Sequence, residues 1–164
     1  MMKNVFLYLF FVVSGLELLF LVIWPEAHFV SKPLIMLSLL GYYLSHAECR
    51  SNLFVAALLF CWLGDVLLLF SAESFFIFGL VAFLTGHVLY IVTYLQHRSA
   101  DRSKELMGPQ KARFAFPLIL LGTGLVTILY PKLGGMKIPV MVYATVITVM
   151  SITALFRYGR TTSK

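Results

Sequence analysis

Charge is scarce in this sequence. Asp, Glu, Lys and Arg make up 12% of its 164 residues, where a soluble domain carries about a quarter. Set against 60% hydrophobic residues, that shortage excludes an ordinary water-soluble domain. Cysteine is scarcer still: Cys49 and Cys61 are the only two, too few for a disulfide framework. Cys61 falls within an apolar run and Cys49 in a short turn, so both are expected as free thiols. Period-two alternation is missing, and the apolar runs far outlast the ~10 residues of a barrel strand, which excludes a transmembrane β-barrel. There is also no nucleophile elbow, glycine-rich phosphate loop or zinc helix motif. His28, His46, His87 and His97 stand on separate segments without metal-ligand spacing, so no metal is expected.

What the chain does have is long apolar runs. They predict an all-α fold: a polytopic transmembrane helix bundle in a single domain over residues 1–164. The six spans fall at about 4–24, 32–46, 52–70, 74–96, 114–130 and 138–156. Met1-Met2-Lys3 imitates the start of a signal peptide. However, the run behind it is about 20 residues, beyond the ~7–15 of a signal h-region, and no small-x-small site follows, so a retained first span is expected. Trp24-Pro25 closes that span as interfacial residues do. Ser31-Lys32-Pro33 reads as the start of the second, with serine as N-cap and proline near the first helical position.

The net charge of +6 does not form a nucleic-acid module, because the basic residues sit in the connections. Lys3, Arg50, Arg98, Arg102, Lys104, Lys111, Arg113, Arg157, Arg160 and Lys164 share one side of a six-span topology, and Lys32, Lys132 and Lys137 the other. Such a bias places both termini in the cytoplasm of an integral, multi-pass protein, by default in an inner or plasma membrane. The two halves share no matching residues, so an inverted-repeat transporter is not supported.

Function is expected around the run Phe60-Cys61-Trp62-Leu63-Gly64-Asp65-Val66-Leu67-Leu68-Leu69-Phe70. One carboxylate lies inside it. An ionisable group at membrane depth costs ~3 kcal/mol on insertion scales and seldom faces lipid. On the six-span topology Asp65 lies roughly 8 Å and Glu17 about 10 Å below the outer surface, with His87 nearer the midplane. Lys32 stands at the outer mouth of the second span, where free helix N–H groups favour an anion such as a lipid phosphate; the plain alternative is a snorkelling lysine. For Glu17, near Ser14, and for Asp65 the plain alternative is a hydrogen bond between helices. Phe83, His87, Tyr90 and Tyr94 follow at i, i+4, i+7 and i+11, one helix face, and such a stripe also serves packing alone. Tyr143, Ile147, Met150 and Ala154 make a similar face on the last span, while Gly79, Ala82 and Gly86 offer close helix approach.

Several pieces in order carry a resemblance: Lys32-Pro33-Leu34, Gly64-Asp65, Phe83-x-x-Gly86-His87-x-x-Tyr90, and Tyr143 followed by Met150 and Ala154. Together they resemble the YhhN-like lysoplasmalogenase family of polytopic membrane proteins over essentially the whole chain. That family usually continues into two further helices with a Ser-Asp pair; this sequence stops at Lys164 without a match to it, so the expectation is a C-terminally shortened member, either inactive or with Glu17 as the substitute. The resemblance implies a lysophospholipid substrate, whose vinyl ether bond is hydrolysed to a fatty aldehyde and a glycerophospho-base.

The residues suit that chemistry. A vinyl ether is protonated at carbon, and water traps the oxocarbenium-like cation, which calls for a carboxylic acid and a second group. Asp65 is the expected acid, with His87, Tyr90 and Glu17 as the other catalytic candidates and Lys32 and Tyr143 toward the substrate. No cofactor is required. The expected partners are this lysolipid and the surrounding membrane lipids, not nucleic acid; a homo-oligomer is left open. A non-catalytic lysolipid-binding or transport bundle is the alternative from another class, and a third is a bundle whose polar groups only lock helices together.

Overall fold

The computed structural model describes residues 5–23, 28–47, 50–97 and 106–157. Lys3, Trp24-Pro25, Cys49, the polar run 98–105 and the basic tail 158–164 lie outside the described residues, and with them many of the charges behind the expected orientation. Among the described residues there are six α-helices and no strand. They are α1 (Val5–Ile23), α2 (His28–His46), α3 (Asn52–Leu67), α4 (Glu73–Gln96), α5 (Gly108–Leu129) and α6 (Lys137–Phe156).

Three segments are long and apolar enough to cross a membrane: Glu73–Gln96, Gly108–Lys132 and Gly134–Phe156. The apolar helices Val5–Phe20 and Asn52–Leu67 are shorter. At 1.5 Å per residue the 16 residues of α3 reach only about 24 Å, against a hydrocarbon core of ~30 Å.

The chain divides into two compact units, Met1–Phe83 and Leu84–Lys164, and α4 contributes turns to both. In the first, α1 packs on α2 and α2 on α3. Val13 and Glu17, one turn apart, are the buried residues of α1. Near the other end of this antiparallel pair, Phe6 lies over Gly41, where a Cβ would stand 2.5 Å from its ring. The second hairpin is fixed at its turn. Tyr43 and Phe54 meet as tilted rings with centroids 4.5 Å apart, the Ser51 N–H donates to Tyr43 Oη at 3.0 Å, and Ser51 Oγ accepts from the Phe54 N–H as the N-cap of α3. On the far side of α3 the Phe83 ring sits where a Cβ on Gly64 would be, at 2.6 Å, so glycine beside Asp65 is what lets α3 and α4 close.

Helix limits depart from the sequence reading at three places. α2 begins at His28, so Ser31 is no N-cap and Pro33 lies inside the helix. A tertiary contact accompanies this: the Ser31 hydroxyl reaches across to Glu17 on α1. α5 begins at Gly108 rather than near Phe114, with the Met107 N–H donating to Gln110 Oε1 at 2.9 Å and Pro109 in the first turn. Its polar opening carries no apolar signal. α3 stops at Leu67, three residues early, in a turn closed by the Leu68 N–H on the Gly64 carbonyl.

In the second unit α5 and α6 pack as a hairpin through two 3₁₀ turns, Tyr130–Lys132 and Gly134–Met136. Lys137 covers the Tyr130 ring at 4.6 Å. Thr123, Thr127, Thr145, Thr148 and Thr153 each donate to the carbonyl four residues earlier, so their hydroxyls are satisfied without water. Neither helix buries a residue, and side chains such as Ile128 and Ile138 are about three-quarters exposed (72% and 75%). An apolar surface of that extent requires an apolar surround, as a membrane supplies.

Candidate functional site

Successive residues of a helix point about 100° apart, and α2 uses this at Ser31 and Lys32. Ser31 turns to α1 and donates to the Glu17 carboxyl; both are buried, at 4% and 8% exposure. Lys32 turns to α3, where its Nζ lies 4.0 Å from Asp65 Oδ1. The hairpin register sets this meeting: Lys32 stands eleven residues before Tyr43 and Asp65 eleven after Phe54, and those two rings meet at the turn. The middle helix of the unit is therefore flanked by one carboxyl group on each side.

The two pairs differ in kind. Glu17 and Ser31 form a buried link between helices. Lys32 and Asp65 keep side-chain exposures of 29% and 19%, and their separation exceeds the ~2.7–2.9 Å of a charge-assisted hydrogen bond. They make a loose ion pair that a solute can approach. Opposite charges offset the cost either would carry alone at membrane depth. One turn before Asp65 on α3, Trp62 Nε1 is buried with no hydrogen-bond partner among the described residues. Cys61 is a buried free thiol four residues before Asp65. Among the described residues no group of three or more His, Cys, Asp or Glu is arranged to hold a metal ion.

The second unit holds its own polar and aromatic cluster. His87 on α4 is buried at 7% exposure and meets Tyr143 of α6 edge-to-face at 5.6 Å and Tyr90 at 6.4 Å. Tyr90 stacks on Tyr94 at 5.9 Å, and the Arg157 guanidinium lies 5.3 Å from the Tyr94 ring. His87, Tyr90 and Tyr94 of the helical stripe thus form a ring ladder, joined from α6 by Tyr143 and ended by a cation.

Of the six expected site residues, Lys32 and Asp65 meet directly; Glu17 is engaged one helix away with Ser31; His87, Tyr90 and Tyr143 stand together in the other unit. Sequence reasoning missed Ser31, Trp62 and Arg157. Ser31 was read as a cap. Trp62 sat in the run already singled out, on the Asp65 side of a helix by the i, i+3 rule. Arg157 was counted only as a topological charge.

Comparison with known proteins adds one result. A family model described as the YhhN family matches residues 27–164, a stretch that includes every candidate above except Glu17. No curated protein and no solved structure matches the chain.

Proposed function

The chain belongs to the YhhN family, and from that premise we propose that it is a membrane-embedded hydrolase of the lysoplasmalogenase type. It cleaves the vinyl ether bond of a lysophospholipid to a fatty aldehyde and a glycerophospho-base. The observation that carries the reading is the Lys32–Asp65 pair, a cation and a carboxylate 4.0 Å apart and both partly accessible. The reaction needs one group for a phosphate and one for a proton, and this pair offers both.

The proton goes from the Asp65 carboxylic acid to the vinyl carbon remote from the ether oxygen. The ether-bearing carbon becomes an oxocarbenium ion, which the newly formed Asp65 carboxylate stabilises at close range. Water adds to that carbon and returns a proton to Asp65. The resulting hemiacetal collapses to aldehyde and alcohol. Lys32 holds the headgroup phosphate as a point charge on a flexible stem. The Glu17–Ser31 link keeps α1 against α2 and so fixes the helix that carries Lys32. The protein works as a multi-pass chain of six helices in an inner or plasma membrane with both termini cytoplasmic; α1 and α3, which are short, rely on tilted packing or a locally thinned bilayer.

The test is product analysis with purified protein and a vinyl-ether lysophospholipid. Stoichiometric aldehyde and glycerophospho-base, absent with Asp65→Asn, support the reading. Undiminished turnover by the Asp65→Asn protein sinks Asp65 as the acid, and tight binding without turnover points to the non-catalytic lipid-binding bundle.

A further inference from the structure

In the structure the group asked to donate a proton is the acidic partner of an ion pair, 4.0 Å from Lys32 Nζ. An ammonium group is a poor acid for protonating carbon beside a carboxylic acid. Something must part the pair before chemistry. We propose that the substrate does so: the lipid phosphate takes Lys32, and the released Asp65 carboxylate takes up a proton from water and becomes the reacting acid. This rests on the lysolipid reading above.

Three observations support the exchange. The pair is longer than a charge-assisted hydrogen bond, so the three ammonium donors are not saturated by Asp65. Lys32 is the more exposed partner, 29% against 19%, and its flexible stem lets the head group move while α2 stays in place. The remaining surroundings of Asp65 offer no second cation among the described residues. Its own helix presents the buried Cys61 thiol one turn before it. α4 meets α3 through Phe83 over Gly64 and through Leu68 against Gly79, both apolar, and Glu17 of α1 is engaged with Ser31. A carboxylate that loses its only counter-ion in such surroundings is costly, and taking a proton removes the cost.

The step balances. One carboxylate and one proton from bulk water give one carboxylic acid, while Lys32 stays an ammonium and changes counter-ion from carboxylate to phosphate. The Trp62 indole N–H, without an acceptor among the described residues, lies on the Asp65 side of α3 and is available to an oxygen of the incoming headgroup. The exchange also makes the phosphate a condition of turnover: an alkenylglycerol carries the same scissile bond but leaves Asp65 paired.

The experiment measures proton uptake in weakly buffered, phosphate-free maltoside micelles. The probes are a non-cleavable alkyl-ether lysophospholipid and the matching alkylglycerol. The expected result is uptake of close to one proton per bound phospholipid and none with the alkylglycerol. A protonated-carboxyl infrared band should appear with the phospholipid and be missing in Asp65→Asn. In Lys32→Met that band should be present before any lipid is added, with no further uptake, whereas Lys32→Arg should retain the uptake. Absence of phospholipid binding, binding without proton uptake, or uptake that survives Asp65→Asn overturns the exchange. Turnover of the vinyl ether without uptake overturns the exchange and leaves the hydrolase standing. Uptake without aldehyde release keeps the exchange and removes the hydrolase.

Discussion

Substituting Lys32 by Met and Asp65 by Asn, singly and together, tests whether the pair binds α2 to α3. Two unit charges 4.0 Å apart attract by about 4 kcal/mol at an effective dielectric near 20 and by about 1 kcal/mol in bulk water. With exposures of 29% and 19% the pair sits between these limits, and the desolvation already incurred lowers the net value further. We expect a coupling of about 1–2 kcal/mol, above the ~0.6 kcal/mol average of polar contacts between helices in membranes. Lys32→Met should be the worse single change, because Asp65 then loses its counter-ion and is accommodated among apolar groups only by taking up a proton. Asp65→Asn leaves a lysine whose stem can carry its charge to solvent. The double variant should recover part of the loss. The assay is reversible denaturant unfolding in mixed micelles, read by helicity. Additivity of the two changes to within ~0.3 kcal/mol would refute the pairing and with it the premise of the exchange.

Other consequences follow from close packing. Gly64→Ala puts a methyl 2.6 Å from the Phe83 ring and should cost about 1–3 kcal/mol, with relief when Phe83→Leu is added. The His87–Tyr143 edge-to-face pair should show a coupling of about 0.5–1.5 kcal/mol in a cycle of alanine variants. Arg157→Met removes the cation from the Tyr94 ring and should lower stability by about 0.5–1 kcal/mol. Glu17→Gln should keep its link to Ser31 and nearly normal stability, whereas Glu17→Leu leaves a buried hydroxyl without that acceptor at about 1–3 kcal/mol; equal losses would show that the link contributes nothing.

Much of this was legible in the sequence, and the failures have physical causes. Hydropathy located all six helices because each needs an apolar face, and the helical spacing of His87, Tyr90 and Tyr94 already put the rings of the ladder on one face. Boundaries failed where a local signal competed with a partner far along the chain. Ser31-Lys32-Pro33 has the chemistry of a helix start, yet Pro33 is tolerated inside α2, and Ser31 is used between helices. Gln110, Lys111 and Arg113 are helical but polar, so hydropathy stops short of them. The meeting of Lys32 with Asp65 required the register of the hairpin, which the ring pair at its turn supplies; no composition or periodicity contains it. The contact of Arg157 with Tyr94 was not legible because a basic residue beside an apolar run satisfies the topology rule and a cation–π contact equally well.

The most direct test of the account is aldehyde release by purified protein from a vinyl-ether lysophospholipid, with ester-linked and alkyl-ether lysolipids of the same headgroup alongside. The account predicts release from the vinyl ether alone, lost in Asp65→Asn and strongly weakened in Lys32→Met. Release from the ester as readily as from the vinyl ether, or full activity without the Asp65 carboxyl, would contradict it.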